Sequence, residues 1–155
     1  MRIEPEITGV LIELTPMERR LLAALLAQYD ELVHEQADDG GPGDDPAIDR
    51  LFPNAYPDDP EAAAEFRTYT RDGLVERKRA NSGLIAAALS ASAGDRIAVA
   101  RDDAERWLPA LTDLRLVLAE RLGIRDDGDP LPGNELAEVY QWLGELQWSL
   151  VEALD

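Results

Sequence analysis

The residues that could do chemistry in this sequence are mostly acidic, and their spacing decides which ligand they could hold. Two pairs of adjacent aspartates frame a glycine-rich stretch within residues 38–46, a composition that suggests calcium. An EF-hand loop instead alternates its carboxylates and ends in a bidentate glutamate at its twelfth position. Here the acids are adjacent, and the next glutamate after the stretch is Glu61. We predict a flexible, solvated acidic loop at 38–46 and no metal site.

A nucleophilic or histidine-ligated site would need partners that the sequence does not supply. His34 is the only histidine, the chain has no cysteine, and no serine lies in a Gly-x-Ser-x-Gly turn. A catalytic triad needs a histidine oriented by a second group, and thiolate metal sites and disulfides need cysteine. Because a cation is favourable near the end of a helix, His34 needs no catalytic role. We predict that the protein is not an enzyme and takes no cofactor.

Carboxylates at helical spacing offer a second route to a metal. Glu61 and Glu65 lie one helical turn apart, as do Glu135 and Glu138. A di-metal centre in a helical bundle combines such glutamates with Glu-x-x-His pairs on two helices. Since the chain has one histidine, and none at that spacing, these glutamates are predicted to line solvated helix faces.

The basic residues of the central segment have two competing interpretations. On a helix turning about 100° per residue, Arg67, Arg71 and Lys78 fall within an arc of about 40°. This basic arc could be a contact surface for phosphate or for an acidic partner helix. Leu74 and Ile85 share the arc, so it could instead face the interior and pair with the protein's own acids. The acidity of the flanking segments favours the interior interpretation.

Four helices are predicted from apolar residues at three-to-four spacing. Thr15 and Glu18 form a capping-box signal at the start of the first helix, and Gly123 is a stop signal for the third. The second helix is expected to kink or break near Gly73 or residues 81–83. The predicted segments are 16–37, 60–92, a helix capped by Asp102 or Asp103 and ending at 122, and one that begins at about 134.

Two short segments rich in β-branched residues, near 9–14 and 95–100, are predicted to be strands. Because lone strands of this length are marginal, we expect them to pair as a two-stranded ribbon beside the helices. The fold class is therefore mainly α, a compact bundle of about four helices in one domain over residues 1–155. Of the tryptophans, Trp107 and Trp142 are predicted to pack in the core, and Trp148 falls on a different face from Trp142.

The net charge of −17 is concentrated at the two ends of the sequence. Residues 1–60 hold fourteen acids and four bases, residues 102–155 hold thirteen and four, and residues 61–101 hold five and seven. Such acidity repels nucleic-acid phosphates over about 8–10 Å in ordinary salt. With no recognisable helix-turn-helix, the sequence argues against direct DNA binding. The absence of a long apolar run and of a signal-peptide core predicts a cytoplasmic protein without membrane contact.

Several blocks of the sequence together resemble an actinobacterial family defined as domain of unknown function 2017. The main block is Trp-Leu-Pro-Ala-Leu-Thr-Asp-Leu-Arg-Leu-Val-Leu at 107–118, followed by Arg-Leu-Gly at 121–123. The others lie at 50–53, 55–56, 65–67, 140–144 and 149–151. The resemblance covers most of the chain, and none of these blocks is a catalytic motif.

The resemblance implies a regulatory role, because the family includes AosR-like oxidative-stress transcriptional regulators. That branch is described as sensing redox through a cysteine pair, which this cysteine-free sequence cannot reproduce. Thr112 also stands where the family is expected to favour asparagine. The family supports importance for Arg67, Lys78, Asp113 and Arg115 without assigning a role to any of them. Its members are typically encoded near the adaptor of the Clp protease.

We therefore expect a non-enzymatic regulatory protein that is associated with transcription and acts through protein contacts. RNA polymerase or a sigma factor is the expected class of partner, and the alternative is an adaptor or structural partner linked to Clp-type proteolysis. Homodimerisation is left open by the sequence. The candidates for partner binding or for structural ion pairs are Arg67, Arg71, Lys78, Asp113 and Arg115.

Overall fold

A computed structural model describes residues 1–39, 45–53 and 58–155, apart from the side chains of residues 36–39, 63, 67–69 and 71. The prediction of a mainly helical fold is confirmed. In the described ranges, however, a short fifth helix joins the four long ones, and the sheet has three strands. The elements are β1 (Arg2–Glu6), β2 (Gly9–Glu13), α1 (Pro16–Asp39), α2 (Pro46–Leu51), α3 (Pro60–Ala91), β3 (Arg96–Ala100), α4 (Arg101–Leu122) and α5 (Glu135–Leu154).

The predicted pairing of the strands near 9–14 and 95–100 is confirmed by β2 and β3, but β1 adds a third strand to the expected ribbon. The sheet has the order β1-β2-β3 with both pairings antiparallel, and its register aligns Ile3 with Ile12 and Ile12 with Ile97. β1 gives a weak sequence signal because Pro5 interrupts it and its other residues are mostly charged. An edge strand tolerates both features, since one side of its backbone makes no ladder hydrogen bonds.

Gly9 is required by the close approach of β3 to β2. A Cβ atom added at this position would lie 2.0 Å from the carbonyl oxygen of Val99. Since that neighbour is backbone, no side-chain movement could relieve the contact. The glycine therefore sets how closely the two strands pack at the hairpin end of the sheet.

The start of α1 confirms the predicted capping box. The amide of Thr15 donates to Glu18 Oε1 at 3.0 Å, and the amide of Glu18 donates to Thr15 Oγ1 at 3.1 Å. The other carboxylate oxygen of Glu18 accepts a hydrogen bond from the indole of Trp142 at 2.7 Å. Partial burial raises the pKa of Glu18, but the hydrogen bonds from Thr15 and Trp142 outweigh it and leave the pKa lowered. A local cap thus also ties α1 to α5.

Part of the loop predicted at 38–46 is described. Asp38 and Asp39 belong to the last turn of α1, Pro46 begins α2, and residues 40–44 lie outside the described ranges. Asp45 caps α2, because its side chain accepts a hydrogen bond from the amide of Ala47 at 2.9 Å. The buried side chains of Ala47, Ile48 and Leu51 then attach this short helix to the core.

α3 is continuous, so the break predicted near Gly73 or residues 81–83 was wrong. Asp59 caps the helix as expected, accepting from the amide of Ala62 at 3.1 Å. Asn81 is buried inside the helix, and its side-chain oxygen accepts from Arg106 Nε of α4 at 3.0 Å. A tertiary partner therefore satisfies a residue that, read locally, indicates a helix end.

The end of α3 is held by a residue from a distant segment. Arg19 of α1 donates from its guanidinium to the carbonyl oxygens of Leu89, Ser92 and Gly94. The last carbonyls of a helix lack partners within the helix, and a cation there also interacts favourably with the negative end of the helix dipole. Arg19 supplies both functions from outside α3.

α4 begins without a side-chain cap, which corrects the prediction that Asp102 or Asp103 caps it. β3 runs directly into the helix, so its N-cap is Ala100 and both aspartates fall in the first turn. There the two carboxylates still stabilise the helix through their interaction with the positive end of its dipole. Pro109 lies inside the helix, and α4 continues past it to Leu122.

The stop signal at Gly123 and the predicted start of α5 are both confirmed. Gly123 has a φ of 73° and its amide contacts the carbonyls of Ala119 and Glu120, a left-handed cap that glycine adopts without strain. Asn134 caps α5 by accepting from the amide of Ala137 at 2.9 Å. Both signals act within one turn of chain, which explains why the sequence predicted them correctly.

The core is organised around α4. Among the described residues, this helix contacts each of the other four helices and strands β2 and β3 of the sheet. Trp107 is fully buried in it, as predicted, and the largest completely buried side chains of α5 face it. Trp142 is half-buried, whereas Trp148 is 63% exposed, so the two indoles do lie on different faces. In the part of the chain that the structure describes, no helix is long and apolar enough to cross a bilayer.

Candidate functional site

The structure brings two of the five candidate residues together in a partly buried ion pair. Lys78 Nζ of α3 lies 2.8 Å from Asp113 Oδ2 of α4, and the two side chains are 17% and 11% exposed. The hydroxyl of Tyr29, from α1, donates to the same carboxylate oxygen at 2.6 Å. Three helices therefore converge on one carboxylate, which accepts hydrogen bonds from an ammonium and a phenol.

The surroundings of this centre favour a structural role. Lys78 Nζ also lies 5.6 Å from the ring centroid of Phe52, next to α2, a cation–π distance. Burial and the neighbouring charge of Asp113 raise the pKa of Tyr29 far above its ordinary value, so the phenol stays protonated and acts as a donor. The adjacent cleft is about 160 Å³, smaller than typical small-molecule sites of roughly 300 Å³ or more.

The orientation of the basic arc is observed for one of its members. Lys78 points inward, which agrees with the interior interpretation. Arg67 and Arg71 lie on α3, but their side chains are outside the described set. Arg79, beside Lys78, is half-exposed and pairs with Asp30 of α1 at 3.5 Å. Lys78 and Arg79 thus bind α3 to its neighbours, whereas Arg77 is exposed.

Arg115 lies in a separate cluster between α4 and α5. Its guanidinium carbon is 4.9 Å from the ring centroid of Tyr140, and Nη1 donates to Gln147 Oε1 at 3.2 Å. Gln147 in turn donates to the hydroxyl of Thr112 on α4. The guanidinium lies beside Gly144, where an added Cβ would make an ordinary van der Waals contact of 3.5 Å with Arg115 Nη2. Candidates two residues apart, Asp113 and Arg115, therefore serve different interfaces.

Several functional contacts were missed at the sequence level. Arg121 of α4 makes a two-point ion pair with Asp45, at 2.7 and 2.6 Å, and these hydrogen bonds lower the pKa of the Asp45 carboxyl. Arg50 of α2 pairs with Glu120 at 2.7 Å. The sequence offered one signal for the hydrogen bond between Tyr29 and Asp113, because a tyrosine on a buried apolar stripe needs a partner for its hydroxyl.

A groove lies between α1 and α5, with α4 as its floor, and we call it the α1–α5 groove. Its volume is about 390 Å³. It is lined mainly by aliphatic side chains, and the Asp45–Arg121 ion pair lies at its rim together with Glu31 and Glu35. The lining residues are Leu21, Leu25, Gln28, Tyr29, Glu31, Leu32, Glu35, Asp45, Leu114, Val117, Leu118, Arg121, Leu136 and Val139.

A second apolar feature lies on the outer face of α5. Trp148 is 63% exposed and Val151, three residues further on, is 39% exposed. Glu145 and Glu152 flank the pair and are exposed as well. Large exposed aromatic side chains are common anchors of protein interfaces. The pair is well separated in the fold from the Lys78–Asp113 centre, because α5 packs on α4 and the sheet and makes no backbone contact with α3 among the described residues.

No group of three or more histidine, cysteine, aspartate or glutamate side chains is arranged to hold a metal ion within the described residues.

A family model described as "Domain of unknown function (DUF2017)" matches residues 1–154. The chain belongs to this family. The resemblance recognised from the blocks at 107–118 and elsewhere is therefore correct.

The curated DUF2017 relatives include mycobacterial proteins named for oxidative stress. "Oxidative stress regulator AosR" of Mycobacterium tuberculosis is 35% identical over 131 residues, which cover 73% of this chain and 59% of the relative. "Putative oxidative stress regulator AosR" of Mycobacterium leprae is 33% identical over 129 residues, covering 72% and 59%. This chain thus spans about 59% of the length of these relatives. No solved structure matches it.

Proposed function

We propose that this DUF2017 protein is a non-enzymatic regulator in the response to oxidative stress, and that it acts on the transcription machinery through protein contacts. RNA polymerase or a sigma factor is the proposed class of partner. The regulatory part of the proposal is supported by the names of the mycobacterial relatives. The protein-contact part is supported by the way the structure uses its cations.

The carrying observation is that eleven of the thirteen basic side chains that the structure describes are engaged within the molecule, the other two being the exposed Arg20 and Arg77. Lys78, the only lysine, is paired with Asp113, and Arg19 is occupied by carbonyl oxygens at the end of α3. The cations with an acidic, carbonyl or amide partner are Arg2, Arg19, Arg50, Lys78, Arg79, Arg96, Arg101, Arg106, Arg115, Arg121 and Arg125.

A surface with this distribution favours a protein partner over DNA. The chain has a net charge of −17, and like charge repels a phosphate backbone. The exposed Trp148 provides the apolar anchor that a protein interface needs. Since the sequence contains no cysteine, these residues cannot sense oxidants through a thiol, and we propose that the signal arrives through the partner.

Binding to purified components tests the proposal. The full chain is immobilised and exposed to RNA polymerase core, to individual sigma factors and to Clp ATPase components from the organism that encodes it. We expect binding to polymerase or to a sigma factor, and a loss of at least about tenfold in affinity for Trp148→Ala. Met17→Ala is the matched control, because Met17 is 72% exposed and lies on a different helix.

The other outcomes discriminate between roles. Binding to Clp components alone would favour the alternative of an adaptor in proteolysis. Shifted mobility of duplex DNA at physiological salt, with no protein partner bound, would contradict the proposal. Equal binding by Trp148→Ala and the parent protein would remove Trp148 from the interface while leaving the partner class intact.

A further inference from the structure

Among the described residues, the α1–α5 groove is lined along several turns of α1. α1 and α5 each pack on α4, yet their backbones stay apart across the described residues. The Glu18–Trp142 hydrogen bond joins them one turn beyond Leu21 and Val139, the groove residues at that end. From Leu21 to Leu32 the groove follows eleven residues of α1, or about 16 Å. That length is about three turns of helix.

The floor of the groove is aliphatic and incompletely covered. Leu21 and Leu25 of α1, Val117 of α4, and Leu136 and Val139 of α5 all line it and are only half-buried. The side chains come from three helices, so the groove is already shaped by packing on α4. A row of this kind matches the apolar stripe that an amphipathic helix presents at every third and fourth residue.

The rim selects the charge of the occupant. Glu31 and Glu35 are exposed along one wall and form no ion pair with any described side chain. The two acids lie one turn apart on the same helix face, which suits lysine or arginine at matching spacing. Asp45 and Arg121 compensate each other at the far end and leave that end neutral.

We propose that the α1–α5 groove is a docking site for a three-turn amphipathic helix of a partner protein, with an aliphatic face and a basic flank. This inference rests on the proposed function only in assuming a protein partner. A second copy of this chain is a poorer occupant, because it would bring another net charge of −17 against an acidic rim. Nucleic acid lacks the apolar stripe and is repelled by the same acids.

A model helix provides the probe. The full chain is titrated against a fluorescein-labelled, fourteen-residue leucine–lysine amphipathic peptide, with fluorescence anisotropy as the readout. A peptide of the same pattern with glutamate in place of lysine is the reference. We expect micromolar binding of the lysine peptide and at least tenfold weaker binding of the glutamate peptide. Equal binding of the two peptides would overturn the proposed selection by charge.

Variants locate the binding site. Glu31→Gln/Glu35→Gln is expected to weaken the lysine peptide at least threefold, and Leu25→Asp at least tenfold with a melting temperature measured alongside. Glu61→Gln/Glu65→Gln is the matched control, because it makes the same change of net charge at the same four-residue spacing on exposed positions of α3. If both glutamate pairs weaken binding equally, the attraction is a general effect of acidity and the groove proposal is overturned. The glutamate pairs decide the matter even if Leu25→Asp fails to fold.

The failure of this proposal is distinguishable from failure of the proposed function. Polymerase or sigma-factor binding that survives Glu31→Gln/Glu35→Gln and Leu25→Asp would overturn the groove and keep the function. Peptide binding at the groove, with neither polymerase nor sigma factor bound, would keep the groove and overturn the partner class. A dimer in sedimentation equilibrium that Leu25→Asp dissociates would replace the proposed helix with a second copy of the chain.

Discussion

Lys78 and Asp113, thirty-five residues apart in the chain, are joined by a contact of 2.8 Å between Nζ and Oδ2. The pair links α3 to α4 at a point where Tyr29 adds a bond from α1. Each charge is mostly shielded from water, so each depends on the other for compensation. Breaking such a pair costs more than the pair itself contributes, because one charge remains buried without a partner.

Single substitutions of this pair are expected to destabilise the fold. Asp113→Ala and Lys78→Met should each lower the free energy of unfolding by about 3 kcal/mol, measured by urea denaturation followed by circular dichroism. The double variant Lys78→Met/Asp113→Ala should lose less than the sum of the two single costs, since no charge is left unpaired.

The neighbouring pair of Arg79 and Asp30 is the matched control for this experiment. Its atoms are 3.5 Å apart and its side chains are 45% and 50% exposed. Asp30→Asn should therefore cost less than about 1 kcal/mol. A cost for Lys78→Met as small as this would show that the basic arc faces solvent and not the interior.

Stability should fall in alkali because of Tyr29. Its pKa in the folded protein is raised by burial and by the charge of Asp113. A group with a raised folded pKa contributes stability that is present below its unfolded pKa, about 10 for tyrosine, and lost as the pH rises above that value. Tyr29→Phe should lower the free energy of unfolding at neutral pH by about 1 kcal/mol, but should decline less steeply above pH about 10. Urea midpoints across this range measure both effects, and parallel curves for the two proteins would contradict the assignment.

Acid should remove the stabilisation that Glu18 and Asp45 provide. Burial raises the pKa of Glu18, but the hydrogen bonds from Thr15 and Trp142 outweigh this effect and leave the pKa below its ordinary value. The pKa of Asp45 is lowered mainly by its hydrogen bonds from Arg121. A lowered folded pKa means stability that is present above the unfolded pKa, about 4, and lost as the pH falls through the folded value.

The acid effect is measured as a difference between variants. Glu18→Gln and Asp45→Asn should each be less stable than the parent protein at pH 6, and the gap should close as the pH falls below about 4. Glu145→Gln makes the same change of charge on the exposed face of α5 and controls for relief of general repulsion. A gap that persists unchanged at low pH would mean that the lost contacts do not depend on the carboxylate charge.

Two glycine substitutions should have opposite signs. Gly9→Ala places a methyl group against the Val99 carbonyl and is expected to cost about 1–3 kcal/mol or more, as strands β2 and β3 must separate. Gly73→Ala, on the exposed face of α3 with nothing within 4 Å of the added carbon, should instead stabilise the protein by about 0.5–1 kcal/mol. Thermal melts of both variants test the pair. Tolerance of alanine at Gly9 would show that the sheet does not need this close approach.

Sequence reasoning succeeded where the deciding interactions are local. The capping box of Thr15 and Glu18, the cap at Asp59 and the left-handed stop at Gly123 each depend on residues within one turn. It failed where a distant partner overrules the local signal. Asn81 suggested an interruption of the helix, but its side-chain oxygen accepts a hydrogen bond from Arg106 of α4 and the helix continues. β1 was not predicted, because it becomes a strand by pairing with β2.

The sequence by itself therefore determined a mainly helical, acidic, cysteine-free chain, the ends of most helices, and membership of a family through the blocks that resemble it. Only the tertiary structure decided that Lys78 faces inward, that Asp113 and Arg115 serve different interfaces, and that α1 and α5 leave a groove between them. The physical reason is range. Caps and apolar periodicity act within one turn, whereas a buried charge finds its partner only after packing has placed it next to a residue remote in sequence.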